Sequence, residues 1–229
     1  MLANNEIGTI QPVEEIGKIA RENRIYFHTD AVQAIGHVPI DVQKMNIDLL
    51  SLSGHKFQGP KGCGALYIRK GTKIETLLHG GAQERKRRAG TENVTAIAGI
   101  GKAIELAVGE IGESDKTLLE MRERLIKDLL KIPKTHLNGH PIKRLANNVN
   151  VTFEYIEGES LLLLLNAKGV FASTGRYVTS NPCPSSHLQA CRTAWCSIEE
   201  VIMCFPLFRF AKAIPFIAQL SDSVPPDVK

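Results

Sequence analysis

The chain has 229 residues, enough for one large domain or two modest ones with a real core. Hydrophobic residues make up 43% and charged residues 23%, an ordinary balance for a soluble globular protein. The net charge of +4 is too mild to argue for nucleic acid, and no basic stripe is interleaved with stacking aromatics. The densest basic run, Arg85-Lys86-Arg87-Arg88 after Glu84, reads as a solvated loop before it reads as a phosphate site. The Leu161–Leu165 run is a helix face and falls far short of a membrane span. Met1-Leu2-Ala3 passes at once into Asn4-Asn5-Glu6, which is no secretory leader. Cys63, Cys183, Cys191, Cys196 and Cys204 form no CxxC pair and have no histidine at zinc spacing, so no metal site is expected. An odd cysteine count without a leader predicts reduced thiols and a cytoplasmic chain.

In chain order, Pro12-Val13-Glu14-Glu15 opens a helix with Ile16, Ile19 and Ala20 at helical spacing. Ile25 to Asp30 reads as a buried strand ending in a carboxylate, and Ala31 to Ile35 as a short helix. Asp48 to Ser53 is the next strand, and Ala65 to Ile68 another, entered through Gly62 and Gly64. Thr91 to Glu110 reads as a helix with Ile97, Ile100, Ile104 and Ala107 on one side. Strands alternating with helical connections predict an α/β fold with a partly parallel sheet. Gly109 to Ser114 marks a boundary, which gives one domain over residues 1–112 and a smaller α+β domain over 113–229. In the second, a charged amphipathic helix spans Lys116 to Lys131. Asn148 to Phe153 alternates as a half-buried strand, a leucine-rich helix follows Glu157-Gly158-Glu159-Ser160, and Val170 to Thr174 is a further strand.

Three polar clusters end or follow strands of the first domain: Asn4-Asn5-Glu6, His28-Thr29-Asp30-Ala31-Val32-Gln33, and Ser53-Gly54-His55-Lys56. In open α/β sheets, ligands bind outside the carboxyl ends of the strands, so Asp30 and Ser53 are expected to face one pocket. Lys56 is an amine suited to a Schiff base. Asp30 is suited to hold a proton on a ring nitrogen. Ser53 and His55 offer donors to a phosphate, and Asn5 and Gln33 offer amides to a phenolic oxygen. A lysine with an acidic partner for a pyridinium nitrogen is the protein's half of pyridoxal 5'-phosphate chemistry. A tight turn would aim Lys56 into the site, with Gly54 leaving room for the phosphate. Each of these residues alone has a bland reading, the aspartate as a cap and the lysine as surface. Their order and spacing carry the inference.

ANNEIGTIQP, HTDAVQAIG, SLSGHKFQGPKGCGALYIR and HGGAQERKRRAGTEN resemble the cysteine desulfurase family, within the class V aminotransferase group. The resemblance covers about residues 2–175 and continues weakly beyond. It implies an aspartate-aminotransferase-like, pyridoxal-phosphate-dependent transferase fold, with an incomplete large domain beside a small one. It further implies that Lys56 bonds the cofactor, Asp30 contacts the ring nitrogen, Gln33 and Asn5 lie by the ring oxygen, and Ser53 and His55 hold the phosphate. Thr91 would reach the phosphate of a neighbouring subunit in a homodimer. The implied activity takes sulfur from L-cysteine, leaves alanine, and passes a persulfide to a scaffold protein for iron–sulfur cluster or thiocofactor assembly.

The chain departs from that pattern in three places. The segment that supplies a histidine ring-stacker and a phosphate loop is not found ahead of Asn4-Asn5-Glu6, so half the cradle is expected to be missing. Val178 stands where the family carries its catalytic cysteine, and a valine has no nucleophile. Cys183 follows five residues on and reads as a free structural thiol. Residues 176–215 read as disturbed, with Phe208-Arg209-Phe210 the one trace of the substrate-carboxylate strand. The expectation is therefore a chain of impaired activity. A selenocysteine lyase or another aminotransferase-like enzyme would share Lys56, Asp30 and Gln33. A non-catalytic fragment pairing with an intact subunit is the remaining alternative.

Overall fold

A computed structural model of the chain describes residues 1–112, 114–175 and 198–203. It divides into two compact units. The first comprises Met1–Asn4 and Ile10–Ser114, and the second comprises Asn5–Thr9 together with the chain from Asp115 onward.

In the first unit, helix α1 (Val13–Glu22) starts directly after Pro12. Glu14 and Glu15 lie in its first turn and Arg21 in its last, each complementing the helix dipole. The buried face is Val13 and Gly17, whereas Ile16 and Ile19 are 41% and 60% exposed. The spacing of isoleucines thus pointed to the wrong face. The reason is steric: a Cβ on Gly17 would stand 1.9 Å from the Met45 carbonyl oxygen, so this bare backbone is what lets α1 approach its neighbour.

Strand β1 is confined to His28–Asp30, and Ile25 and Tyr26, expected to be buried in it, are exposed. Of β1 only Thr29 faces inward. Strand β2 (Leu49–Ser53) pairs with β1 in parallel, and β3 (Gly64–Ile68) closes the order β1-β2-β3 by antiparallel pairing. The expected helix over Ala31 to Ile35 is instead a run of hydrogen-bonded turns, with Ala34 and Ile35 amides both donating to the Ala31 carbonyl. Ala31, Ala34 and Ile35 are buried nonetheless. Asp48 anchors the start of the sheet. Its Oδ2 accepts the Phe27 amide at 3.0 Å and its Oδ1 pairs with Arg69 Nε at 3.2 Å. Arg69 also donates to the Ile47 and Val42 carbonyls. A single turn α2 (Gln83–Lys86) carries Glu84 and Arg85 in left-handed conformations. Helix α3 (Val94–Gly109) begins at Asn93, whose Oδ1 accepts the Ala96 amide at 3.1 Å as an N-cap.

The second unit contains α4 (Ser114–Leu129), β4 (Thr135–Leu137), β5 (Val149–Glu154), α5 (Gly158–Ala167), β6 (Ser173–Gly175) and β7 (Ile198–Met203). Its sheet runs β4-β5-β7-β6, antiparallel throughout. The core joins Leu125, Ile126 and Leu129 to Val149, Val151 and Phe153, and to Leu161 and Leu165. Strand β5 is buried on both faces, not half-buried as its alternation suggests. Asn150 and Thr152 accept this because Asn138 Nδ2 donates to Asn150 Oδ1 at 2.7 Å and Thr152 Oγ1 at 2.8 Å. Strand β7 lies inside the stretch read as disturbed, yet it pairs with β5 from Val149↔Met203 to Glu154↔Ile198. The strand expected from Val170 is shorter, beginning at Ser173. Among the described residues no helix is long and apolar enough to cross a membrane.

Two predictions follow from these anchors. Asp48→Ala strands the Arg69 cation and the Phe27 amide, so unfolding free energy should fall by about 2–4 kcal/mol, read from the urea midpoint. Asp48→Asn, which keeps an acceptor, should lose less. On the edge of the second sheet, His136 Nε2 meets Glu154 Oε1 at 2.7 Å. That hydrogen bond, with the Lys134 charge beside it, holds the Glu154 carboxyl below its ordinary 4.5. The stabilisation is present above that value and is lost as pH falls through the lowered one, so His136→Ala should flatten the acid limb of stability against pH.

Candidate active site

The site is built by the direction of two strands. Because β1 and β2 run parallel, both end at the same edge of the sheet, with Asp30 opposite Ser51. The Ala31 amide donates to the Ser51 carbonyl at 2.9 Å, which extends that pairing past Asp30. Ser53 closes β2, and a 3₁₀ turn, Gly54–Phe57, follows at once. Within this turn Phe57 is buried and fixes the backbone, while His55 and Lys56 project as exposed side chains. Gln58 leaves the turn in the left-handed conformation at φ 65°. The Gly54 amide donates to the Cys63 carbonyl at 3.0 Å, and the Gly59 amide donates back to the Gly54 carbonyl at 2.8 Å.

Gly54 corrects one expectation. Its missing side chain does not leave room for a ligand but serves packing. A Cβ there would meet the Pro60 carbonyl oxygen at 3.1 Å and both Cys63 Sγ and Ile100 Cδ1 at 3.2 Å.

The polar groups at this edge are arranged as follows. Ser53 Oγ and His55 Nδ1 are hydrogen-bonded at 2.9 Å. Asp30 Oδ1 accepts the Val32 amide at 2.8 Å, an Asx turn that steadies the carboxylate and leaves Oδ2 without a hydrogen bond among the described residues. Lys56 has no ion pair or hydrogen bond among the described residues, so its amine is uncommitted. Gln33 is half-buried in the turns that follow Asp30. The fold thus brings Asp30, Gln33, Ser53, His55 and Lys56 to one end of one sheet. Asn5 is not of this group: it is exposed and belongs to the second unit. Thr91 is exposed ahead of the Asn93 cap of α3. Val178, Cys183 and Phe208-Arg209-Phe210 lie outside the described residues.

His28, named in the second polar cluster but given no role there, has a partner at this edge. His28 Nε2 meets Ser51 Oγ at 3.1 Å. The period-two alternation of β1, exposed at His28 and Asp30 and buried at Thr29, holds the signal that the two share a face.

An uncommitted amine, a steadied carboxylate and a hydroxyl–imidazole pair form a donor set that fits an anionic, ring-bearing aldehyde. The amine can bond the carbonyl carbon, the carboxylate can keep a ring nitrogen protonated, and the hydroxyl can donate to a phosphate oxygen.

The comparison with known families agrees with this chemistry. The model of the aminotransferase class-V family matches residues 1–199, and the chain belongs to that family, whose members depend on pyridoxal phosphate. Among curated relatives, the chain is 78% identical over 192 residues to cysteine desulfurase IscS of Methanosarcina thermophila, covering 83% of this chain and 48% of that protein. Among solved structures it is similar to a NifS-like protein, with a TM-score of 0.78 and 35% identity, covering 98% of this chain and 59% of the other. It is also similar to SspA in complex with cysteine, with a TM-score of 0.65 and 33% identity, covering 91% of this chain and 58% of the other. The chain spans about half the length of the curated relatives it matches.

Gly54→Ala should lower stability by about 1–3 kcal/mol through overpacking against Pro60, Cys63 and Ile100. Calorimetry of the variant checks this. A thermal midpoint equal to that of the parent chain would show that the turn has slack.

Proposed function

We propose that this chain carries the lysine-bearing part of a cysteine desulfurase site and lacks the thiol that receives sulfur. The observation that supports it most is the shared sheet edge of Asp30 and the Ser53–Lys56 turn. Pyridoxal phosphate, when bound, supplies an electron sink that weakens bonds at the substrate's α-carbon. The chain's own residues do the rest. Lys56 would hold the cofactor through its carbonyl carbon and, once the substrate amine has taken that place, would move the proton at the α-carbon of L-cysteine. Asp30 keeps the ring nitrogen protonated. Ser53, oriented by His55, holds the phosphate with His55 itself. Gln33 and Asn5 donate amides to the ring oxygen, and Thr91 serves the phosphate of a second subunit in a homodimer.

The resemblance to the cysteine desulfurase family implies that the sulfur would leave for a cysteine thiol and alanine would remain. The persulfide then goes to a scaffold protein for iron–sulfur cluster or thiocofactor assembly. Val178 occupies that thiol's position by sequence, so the chain is read as competent to hold cofactor and impaired in sulfur transfer.

The test is to add pyridoxal phosphate, reduce with borohydride, and find the modified lysine by mass spectrometry. Label on Lys56, absent from Lys56→Ala, is the expected result. Label scattered over surface lysines would sink the reading. With cysteine, alanine and sulfide release should be at background. Release from selenocysteine but not cysteine would move the assignment to a selenocysteine lyase.

A further inference from the structure

One face of the β1–β2 pair is buried at Thr29 and Leu50, which are 2% and 3% exposed. The alternation of the strands puts His28, Asp30, Ser51 and Ser53 on the opposite face. The parallel register sets Asp30 beside Ser51 and His28 beside Leu49. The Ala31 amide, donating to the Ser51 carbonyl at 2.9 Å, ties the two backbones together next to the carboxylate.

His28 lies one pleat, about 6.5 Å, behind Asp30 along the strand. The functional reading above gives it no task. Its side chain nevertheless reaches past its own register partner, Leu49, and meets Ser51 Oγ at 3.1 Å through Nε2. This diagonal contact fixes both side chains on the face that carries Asp30.

A serine hydroxyl has one proton and two lone pairs. When the imidazole nitrogen donates, it occupies a lone pair and leaves the Ser51 proton to be donated elsewhere. Asp30 is the only carboxylate that β1 and β2 carry, and it is the register partner of Ser51. One of its oxygens accepts the Val32 amide at 2.8 Å, and the other has no hydrogen bond among the described residues. The backbone therefore fixes only half of the carboxylate. We propose that His28 and Ser51 are positioning residues for Asp30: His28 turns the Ser51 proton toward the Asp30 carboxylate, and that dipole steadies the carboxylate for its contact with the cofactor's ring nitrogen. All three residues belong to the first unit. The proposal rests on the reading of Asp30 given above.

The test titrates the full chain with pyridoxal phosphate and with its 1-deaza analogue, in which a C–H group replaces the ring nitrogen. Absorption gives both dissociation constants. A residue that acts through Asp30 on the ring nitrogen affects only the first, whereas a lesion in the fold weakens both. Asp30→Ala should weaken pyridoxal phosphate by about 10- to 100-fold, the scale of a hydrogen bond between charged groups. His28→Ala and Ser51→Ala should each weaken it about fivefold, the scale of an ordinary hydrogen bond, and leave the analogue unchanged. His28→Gln, which keeps a donor, should regain most of that loss. His28→Ala with Ser51→Ala should lose no more than either alone, because the two act as one relay. Parent-like binding of pyridoxal phosphate by both single variants, or an equal loss for both ligands, would overturn the positioning role and leave the Asp30 reading standing. An Asp30→Ala chain that binds pyridoxal phosphate as the parent does, or a parent chain that binds none, would overturn that reading and the proposal with it.

Discussion

The parallel pairing of β1 with β2 is the constraint on which the rest of the candidate site depends. A parallel pair gains less per residue than an antiparallel one, and here β1 contributes only three residues. Such a short strand needs help at its start. Asp48 supplies it, taking the Phe27 amide on one oxygen and Arg69 on the other. Arg69 in turn ties down the Val42 and Ile47 carbonyls. One carboxylate therefore joins the entry to β1, the entry to β2 and the exit of β3. With the near ends fixed, the far ends have no choice of register, and Asp30 arrives opposite Ser51. The placement of Asp30 at one end of the strands thus rests on an ion pair at the other.

A second constraint acts at that far edge. The Gly54–Phe57 turn has an inner side and an outer side with different tasks. Gly54 and Phe57 are buried and give the turn its rigidity. His55 and Lys56 are exposed on the other side and are the residues to which the proposed chemistry is assigned. For the role proposed for Lys56, rigidity would matter, because the amine would have to meet one carbon and later one proton. The Ser53–His55 hydrogen bond serves the same end, since each fixes the other's rotamer.

The placement of Asp30, Ser53 and Lys56 at one end of the sheet was more legible in the sequence than the packing around it. Asp30, Ser53 and Lys56 could be read because each follows an apolar strand, and the edge of a sheet is where such residues meet. The buried face of α1 could not, because the decisive residue was Gly17, whose contribution is an absence of side chain. The double burial of β5 could not, because the Asn138 side chain that satisfies Asn150 and Thr152 comes from outside the strand. Strand β7 was lost because Glu199-Glu200 interrupts its apolar run, so that pairing with β5 and not alternation defines it. The Arg144 contact to Ile7 spans 137 residues, and no local pattern in either stretch announces it.

The same separation bears on what a valine at position 178 removes. In the proposed function, holding a cofactor and moving a proton call on an amine, a carboxylate and hydrogen-bond donors, of which Asp30, Gln33, Ser53, His55 and Lys56 share one end of one sheet. Accepting sulfur calls on a thiolate, which contributes nothing to those tasks. Two groups that do different chemical work and come from different stretches of chain can be lost separately. On the proposed reading, a valine in place of the thiol would remove the nucleophile without removing the Lys56 amine. Under that reading Lys56 and its neighbours would still take up cofactor and loosen an α-proton, and sulfur transfer is the step the valine would cost.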